Sequence, residues 1–239
     1  MQFNHIDTHT MTYILNIETA THICSVSLSK NGETIDINES LEDKTHAELL
    51  TVFVEDILNK NNIKPTDLSA IAISEGPGSY TGLRIGVSAA KGMCYGLKIP
   101  LISIPTLLAM ANGMKENTTD TDSLLSPMID ARRMEVYTAV YDQKLEVIEK
   151  VHAKVIEEDA FKGVLDQNKI NFFGNGSEKC KELIMHKNAN FINQTYISSK
   201  YMSRLAYEKF LNNDFEDVAY FEPFYLKEFQ ALKSKKKLF

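Results

Sequence analysis

Between residues 70 and 97 the chain passes from an apolar run, Ala70-Ile71-Ala72-Ile73, through Ser74-Glu75-Gly76-Pro77-Gly78-Ser79 into a helical pattern near Tyr80. That helix carries four glycines, Gly82, Gly86, Gly92 and Gly96. Glycine costs about 1 kcal/mol relative to alanine inside a helix, so four of them need a packing reason. Gly82, Gly86, Ala90 and Met93 recur on one face, flanked by Leu83 and Val87, while Arg84, Ser88, Lys91 and Tyr95 lie opposite. A face of small residues admits another backbone at close range, either this chain's own sheet or a partner helix. A strand feeding a helix through a tight turn points to an α/β architecture.

The same turn invites a phosphate reading, because a Gly-rich strand-to-helix junction aims N–H groups at an anion. The two standard patterns fail. A dinucleotide fingerprint needs Gly where Thr81 stands, and a Walker A loop needs Gly-Lys-Ser/Thr where Gly82-Leu83-Arg84 stands. A generic anion loop and a turn with positive φ at glycine remain.

Around this segment, residues 13–38 read as a three-strand meander with Asn31-Gly32 as a hairpin turn. Residues 45–61 read as a helix whose apolar stripe is Leu49, Leu50, Phe53, Val54 and Ile57. A strand at 100–104, a helix at 105–113, a polar boundary at 115–123 and a hairpin over 128–141 follow. The pattern weakens beyond 150, with a strand at 170–173, a turn at Gly174-Asn175-Gly176 and helices at 177–187 and 199–212. Mixed hairpins and strand–helix units point to mixed sheets. A strand–hairpin–helix order recurs weakly in the two halves.

At 239 residues the chain holds one large domain or two small lobes. The expected division is an extension at 1–10, a first lobe at 11–113 and a second at 114–239 whose last helix packs back on the first. Residues 1–10 are polar and resemble neither a signal nor a transit peptide, and Met11 is a candidate start. No stretch approaches the ~18 apolar residues of a membrane helix. The three cysteines, Cys24, Cys94 and Cys180, have no metal-type spacing and read as reduced cytosolic thiols, which fits a cytoplasmic protein. The formal net charge of −6 argues against a chain that grips a nucleic acid by itself. The only basic run is Lys233-Ser234-Lys235-Lys236-Lys237.

None of His5, His9, His22, His46, His152 and His186 forms H-E-x-x-H, and the one H-x-x-x-H spacing, His5 to His9, falls in the expected extension at 1–10. No G-x-S-x-G elbow is present. Glu18 and Asp130 stand at strand ends in opposite lobes, where two acids can hold a hydrated Mg²⁺ and a nucleotide's phosphates. An isolated acid at a turn is more commonly a solvated residue or a cap.

Taken in order, several blocks resemble one family. They are Ile14–Ala20, Thr45-His46-Ala47-Glu48, Gly76–Gly86, Ala90-Lys91-Gly92, Ile129–Tyr137 with its Asp130-Ala131-Arg132-Arg133 core, Gly174-Asn175-Gly176 and Pro223-Phe224-Tyr225-Leu226-Lys227. The chain resembles the TsaB (YeaZ) family, closely in its N-terminal half and loosely over 145–239. The resemblance implies an actin/hexokinase/Hsp70-like fold of two ribonuclease-H-like lobes. It implies a part in forming threonylcarbamoyladenosine on tRNA, next to the anticodon. There TsaC makes threonylcarbamoyl-adenylate, TsaD transfers the threonylcarbamoyl group, TsaB partners its paralogue TsaD, and the ATPase TsaE joins them.

The resemblance also carries a chemical expectation. TsaD-like proteins bind metal through His-x-x-x-His at positions that fall near Pro105 and Ala109 here, and neither residue can ligate. Glu18 stands where most of the family has Asp. The chain is therefore expected to be an inert, scaffold-like subunit needing no cofactor alone, with ATP/ADP and Mg belonging to the complex. A vestigial nucleotide cleft would comprise Glu18, Thr19, Gly76, Gly78, Ser79, Asp130 and Arg132. The implied partner interface, a four-helix bundle with a second copy or with TsaD, comprises His46, Leu49, Leu50, Phe53, Val54, Ile57, Gly82, Leu83, Gly86, Val87, Ala90 and Met93. The expectation is that Gly86→Leu weakens that contact and leaves the fold intact. Arg84, Arg132 and the Lys-rich tail would give tRNA local help at most. The alternatives are a small nucleotide-dependent phosphotransferase using Glu18 and Asp130, and a metallopeptidase, for which no H-E-x-x-H motif exists.

Overall fold

Ile14, Leu15 and Ile17 are fully buried, so their strand is covered on both faces and reads as an apolar run rather than an alternation. It is the centre of the first of two sheets. The computed structural model describes residues 11–40 and 46–227. The expected extension, Thr45, and the Lys233–Lys237 tail lie outside the described residues.

The first half contains β1 (Tyr13–Glu18), β2 (Cys24–Lys30), β3 (Glu33–Ser40), α1 (His46–Lys60), β4 (Ala70–Gly76), α2 (Tyr80–Leu97), β5 (Leu101–Pro105) and α3 (Thr106–Glu116). The second contains β6 (Leu124–Asp130), β7 (Glu135–Tyr141), β8 (Val147–Val155), α4 (Lys162–Leu165), β9 (Ile170–Phe173), β10 (Ala189–Phe191) and α5 (Ser203–Leu211). The strand orders are β3-β2-β1-β4-β5 and β10-β9-β6-β7-β8. Each sheet is an antiparallel meander to which two parallel strands are added on the other side. The recurrence that the sequence shows faintly is thus a repeated topology.

The helices break the symmetry. Leu50, Ile57 and Leu58 of α1 and Val87, Ala90 and Cys94 of α2 cover one face of the first sheet, against Leu15, Ile17, Val26, Leu28, Ile71 and Ile73. In the second half the corresponding connections are α4 and a 3-10 turn at Glu178–Cys180. The helix expected at 177–187 is replaced by that turn, and the one expected at 199–212 is a 3-10 turn, Ser199–Met202, running into α5. The strands β8 and β10 had no clear signal in the sequence. β8 is an edge strand with Val147, Ile148 and Val155 exposed, so its pattern does not alternate cleanly.

The two halves interlock. Leu107, Met110, Ala111 and Met114 of α3 pack on the second sheet, with Leu125, Ile129, Ala139 and Phe173. Met202, Ala206 and Phe210 from the C-terminal end pack on the first sheet, with Ile14, Ala72 and Ile102. Among the described residues no helix is long and apolar enough to cross a membrane.

Candidate functional site: the glycine helix and the cleft it borders

The turn after β1 decides which way α2 faces. Ser79 N–H donates to Ala20 O at 2.6 Å. A β-carbon at Gly78 would overlap the Ala20 carbonyl oxygen, one at Gly82 the Thr19 carbonyl oxygen, and one at Gly86 the Thr19 hydroxyl. The Gly78–Gly82–Gly86 line therefore admits the chain's own Thr19–Ala20 turn. This corrects the expected interface: Gly82, Leu83, Gly86, Val87 and Ala90 of α2 and Leu50 and Ile57 of α1 are buried inside this chain. It also corrects the expectation for Gly86→Leu, because a side chain there would also meet Ile73 Cδ1 at 3.0 Å and disturb the fold itself.

What the two helices leave open is a neighbouring stripe. His46, Leu49, Phe53, Val54 and Met93 are half-buried, and Val52 is 48% exposed. On α2 the stripe continues through Ile85, Ala89, Gly92 and Gly96, and nothing lies within 4 Å of where a β-carbon at Gly92 or Gly96 would sit. Val52, Ile85, Ala89, Gly92 and Gly96 were missed from the sequence. Both stripes hold two glycines at i,i+4 spacing, and only the continuation of one into Gly78 marks it as the inward one.

The cleft acids are engaged by the chain itself. Glu18 is 1% exposed. Its Oε1 accepts from Ala20 N at 2.5 Å and from Ser74 Oγ at 3.0 Å. Burial pushes its pKa up to about 7, against the opposing pull of those hydrogen bonds. Burial, with the Glu18 carboxyl adding to it, pushes the Cys24 thiol up to about 11. Asp130 is exposed and pairs with Lys179 Nζ at 2.6 Å, while its Oδ1 also accepts from Arg132 N at 2.8 Å. Lys179 Nζ further donates to Arg133 O and Glu135 O, both at 2.7 Å, fixing a turn in which Arg132 and Arg133 have φ of 66° and 46°.

Three N–H groups at the Gly-Pro-Gly turn are paired within the chain. Gly76 N–H donates to Thr106 Oγ1 at 3.1 Å, Ser79 N–H to Ala20 O, and Gly82 N–H to the Ser79 hydroxyl at 3.3 Å. A hydrated Mg²⁺ with a nucleotide needs ionised carboxylates and unpaired N–H groups. One acid here is buried and shifted toward neutrality, and the other already holds an ammonium. In this arrangement both carboxyl groups are engaged by the chain's own donors. Among the described residues, no group of three or more His, Cys, Asp and Glu is placed to hold a metal. Pro105 ends β5, and Ala109 is buried in the core between α3 and the first sheet.

Comparison with known proteins assigns this architecture. The sequence profile described as TsaD: tRNA N6-adenosine threonylcarbamoyltransferase matches residues 40–233. A protein of Escherichia coli (strain K12) named tRNA threonylcarbamoyladenosine biosynthesis protein TsaB is 40% identical over 130 residues, 54% of this chain. The match spans 55% of that relative, so the chain aligns with only about half its length. The TsaB protein of Buchnera aphidicola subsp. Baizongia pistaciae is 30% identical over 205 residues, covering 82% of this chain and 91% of the relative. YeaZ from Pseudomonas aeruginosa superposes with a TM-score of 0.79 at 22% identity, over 90% of this chain and all (100%) of that one. An activator of the 2-hydroxyisocaproyl-CoA dehydratase from Clostridium difficile, with bound ADPNP, follows at 0.51 and 9% identity, over 85% and 97% of the two chains.

The paired sheets and these neighbours give the chain an actin/hexokinase/Hsp70-like α/β fold. Within it the chain belongs to the TsaB (YeaZ) family.

Proposed function

We propose that this chain is a non-catalytic subunit in the formation of threonylcarbamoyladenosine on tRNA. It binds a TsaD-type transferase through the open stripe of α1 and α2, and a TsaE-type ATPase joins the pair. The carrying observation is that stripe: an apolar, glycine-notched surface on two adjacent helices, with open space above Gly92 and Gly96. Burying it contributes roughly 25 cal/mol per Å² of apolar area before the cost of association. Without a partner transferase, a second copy covers the same stripe and the chain is a homodimer.

Several features support a supporting rather than a chemical role. The resemblance puts Pro105 and Ala109 near the positions where a TsaD-type transferase ligates its metal, and neither side chain is a ligand. Glu18 and Asp130 are engaged internally, so ATP/ADP and Mg are assigned to the complex and not to this chain. The net charge of −6 leaves the tRNA backbone to the partner, with Arg84 and Arg132 as local contacts. The phosphotransferase alternative requires acids free to hold a metal nucleotide, and nothing in the cleft favours it.

The deciding experiment reconstitutes the modification from TsaC, TsaD, TsaE, tRNA, threonine, bicarbonate and ATP, with and without this chain. Modification is expected only with it, and the isolated chain is expected to turn over no ATP. Equal modification in its absence refutes the proposal.

A further inference from the structure

The Pro223–Lys227 block is not used by the function proposed above, yet its path is fastened at several points. It is the end of a strap that begins at Glu216, whose N–H donates to Leu101 O at 2.9 Å and whose Oε1 accepts from Ser103 Oγ at 2.5 Å. The strap then follows α2, where Lys91 Nζ donates to Ala219 O at 3.1 Å and Phe221 O at 2.8 Å. At the Gly-Pro-Gly turn Phe224 N–H donates to Glu75 O at 2.7 Å. Gly76 has φ +117°, and a β-carbon there would lie 2.6 Å from Phe224 O, so a side chain would push the strap away.

Two side chains finish the crossing. The Tyr225 ring lies 4.9 Å from that of Tyr80, and its hydroxyl accepts from Arg84 Nε at 3.2 Å. The Arg84 guanidinium sits 4.1 Å over the Tyr80 ring. Two residues on, Lys227 Nζ pairs with the carboxylate of Glu135, the first residue of β7 in the second sheet. That anchor is firm, because the Glu135 carbonyl and the preceding turn are held by Lys179.

We infer that residues 216–227 are a latch between the lobes: one segment is fastened along α2 and clasps the second sheet at Glu135, holding the cleft at one setting. The inference rests on the fold and not on the identity of any partner. The terminal contacts are an exposed ion pair and a stacked tyrosine–arginine cluster, which are individually weak. The last turn of the strap is therefore releasable, and its release frees the first turn of α2 and the lobe–lobe angle together.

The test uses the full chain with spin labels at Asn59→Cys and Lys187→Cys, one in each half, where the three native thiols are buried. The parent is expected to give one narrow distance distribution. Lys227→Glu and Glu135→Lys are each expected to broaden it and to speed amide exchange at Thr81–Arg84 about tenfold. The charge-swapped double variant is expected to recover both. Tyr225→Phe keeps the stacked ring and loses only the hydrogen bond to Arg84, so a smaller acceleration is expected with the distance unchanged. Thermal melting confirms that each variant is folded. Single variants indistinguishable from the parent, or a folded double variant that fails to recover, overturn the latch.

Discussion

Glu18 is a carboxyl in a place where its charge is poorly solvated, and this makes folding pH-dependent. Its pKa rises from 4.5 to about 7 on folding. Between those values the folded chain holds a proton that the unfolded chain has lost. The stabilisation is fully present below about 4.5 and is lost as pH rises to about 7. For one proton this is about 1.4 kcal/mol per pH unit at most, or of order 2–3 kcal/mol across the window. Glu18→Gln keeps the shape and removes the titration. The stability difference between parent and variant, from urea unfolding at pH 5 and pH 7.5, is expected to move against the parent as pH rises. A constant difference would refute the assignment. The glycines make a second residue-scale prediction. Gly86→Leu is expected to destabilise by about 1–3 kcal/mol through overlap with Thr19. Gly92→Ala, in open space, is expected to stabilise by up to about 1 kcal/mol. Thermal denaturation of the two separates an inward glycine from an outward one. The glycine spacing was plain in the sequence. Its direction was not, because direction depends on where the Thr19–Ala20 turn lies.

At the scale of elements, legibility followed burial. α2 was readable to its ends at 80–97, where Ser79 caps it and Lys98 ends it in a left-handed conformation. β1 and β4 were readable as apolar runs because both faces are covered, and β2 as an alternation of Cys24, Val26 and Leu28 with serines. The misses lie where periodicity misleads. Cys180, Leu183 and Ile184 have helical spacing, yet the chain makes only tight turns there before it reverses into β10. For the site, the two helices were identified, but the stripe of α2 chosen from the sequence is the one buried inside the chain, about one residue's rotation from the open one. That distinction gives a direct test. Val52→Glu and Ala89→Glu place charge on the open stripe and are expected to leave the melting temperature within a few degrees. Each is expected to weaken binding to a TsaD-type partner at least about tenfold, measured by calorimetry, since an unpaired charge is costly to bury. Leu83→Ala, inside the core, is expected to lose about 2–5 kcal/mol of stability instead. Unaltered affinity in both charged variants would move the interface elsewhere.

The whole molecule is a duplicated sheet made indivisible by exchanged helices. α3 follows the first sheet in sequence and covers the second, while Met202, Ala206 and Phe210 come from the far end of the chain and cover the first. Sequence periodicity could mark these helices as amphipathic but could not say which sheet each would cover, since that is settled only when both sheets exist. The consequence is cooperative. Neither sheet has both faces covered without residues from the other half, so neither is a complete core on its own. A single unfolding transition is expected in denaturant, coincident by fluorescence and circular dichroism, with calorimetric and van't Hoff enthalpies in agreement. Met202→Ala is the sharpest probe, because Met202 is fully buried against Ile14, Ala72 and Ile102. Its loss is expected to cost about 2–5 kcal/mol. Amide exchange that proceeds by global unfolding should then accelerate by the same factor in β1 and in the distant β6 and β9, which Met202 does not help to cover. Acceleration confined to the first sheet, or two separated transitions in the parent, would mean that the lobes unfold independently and that the helix exchange does not couple them.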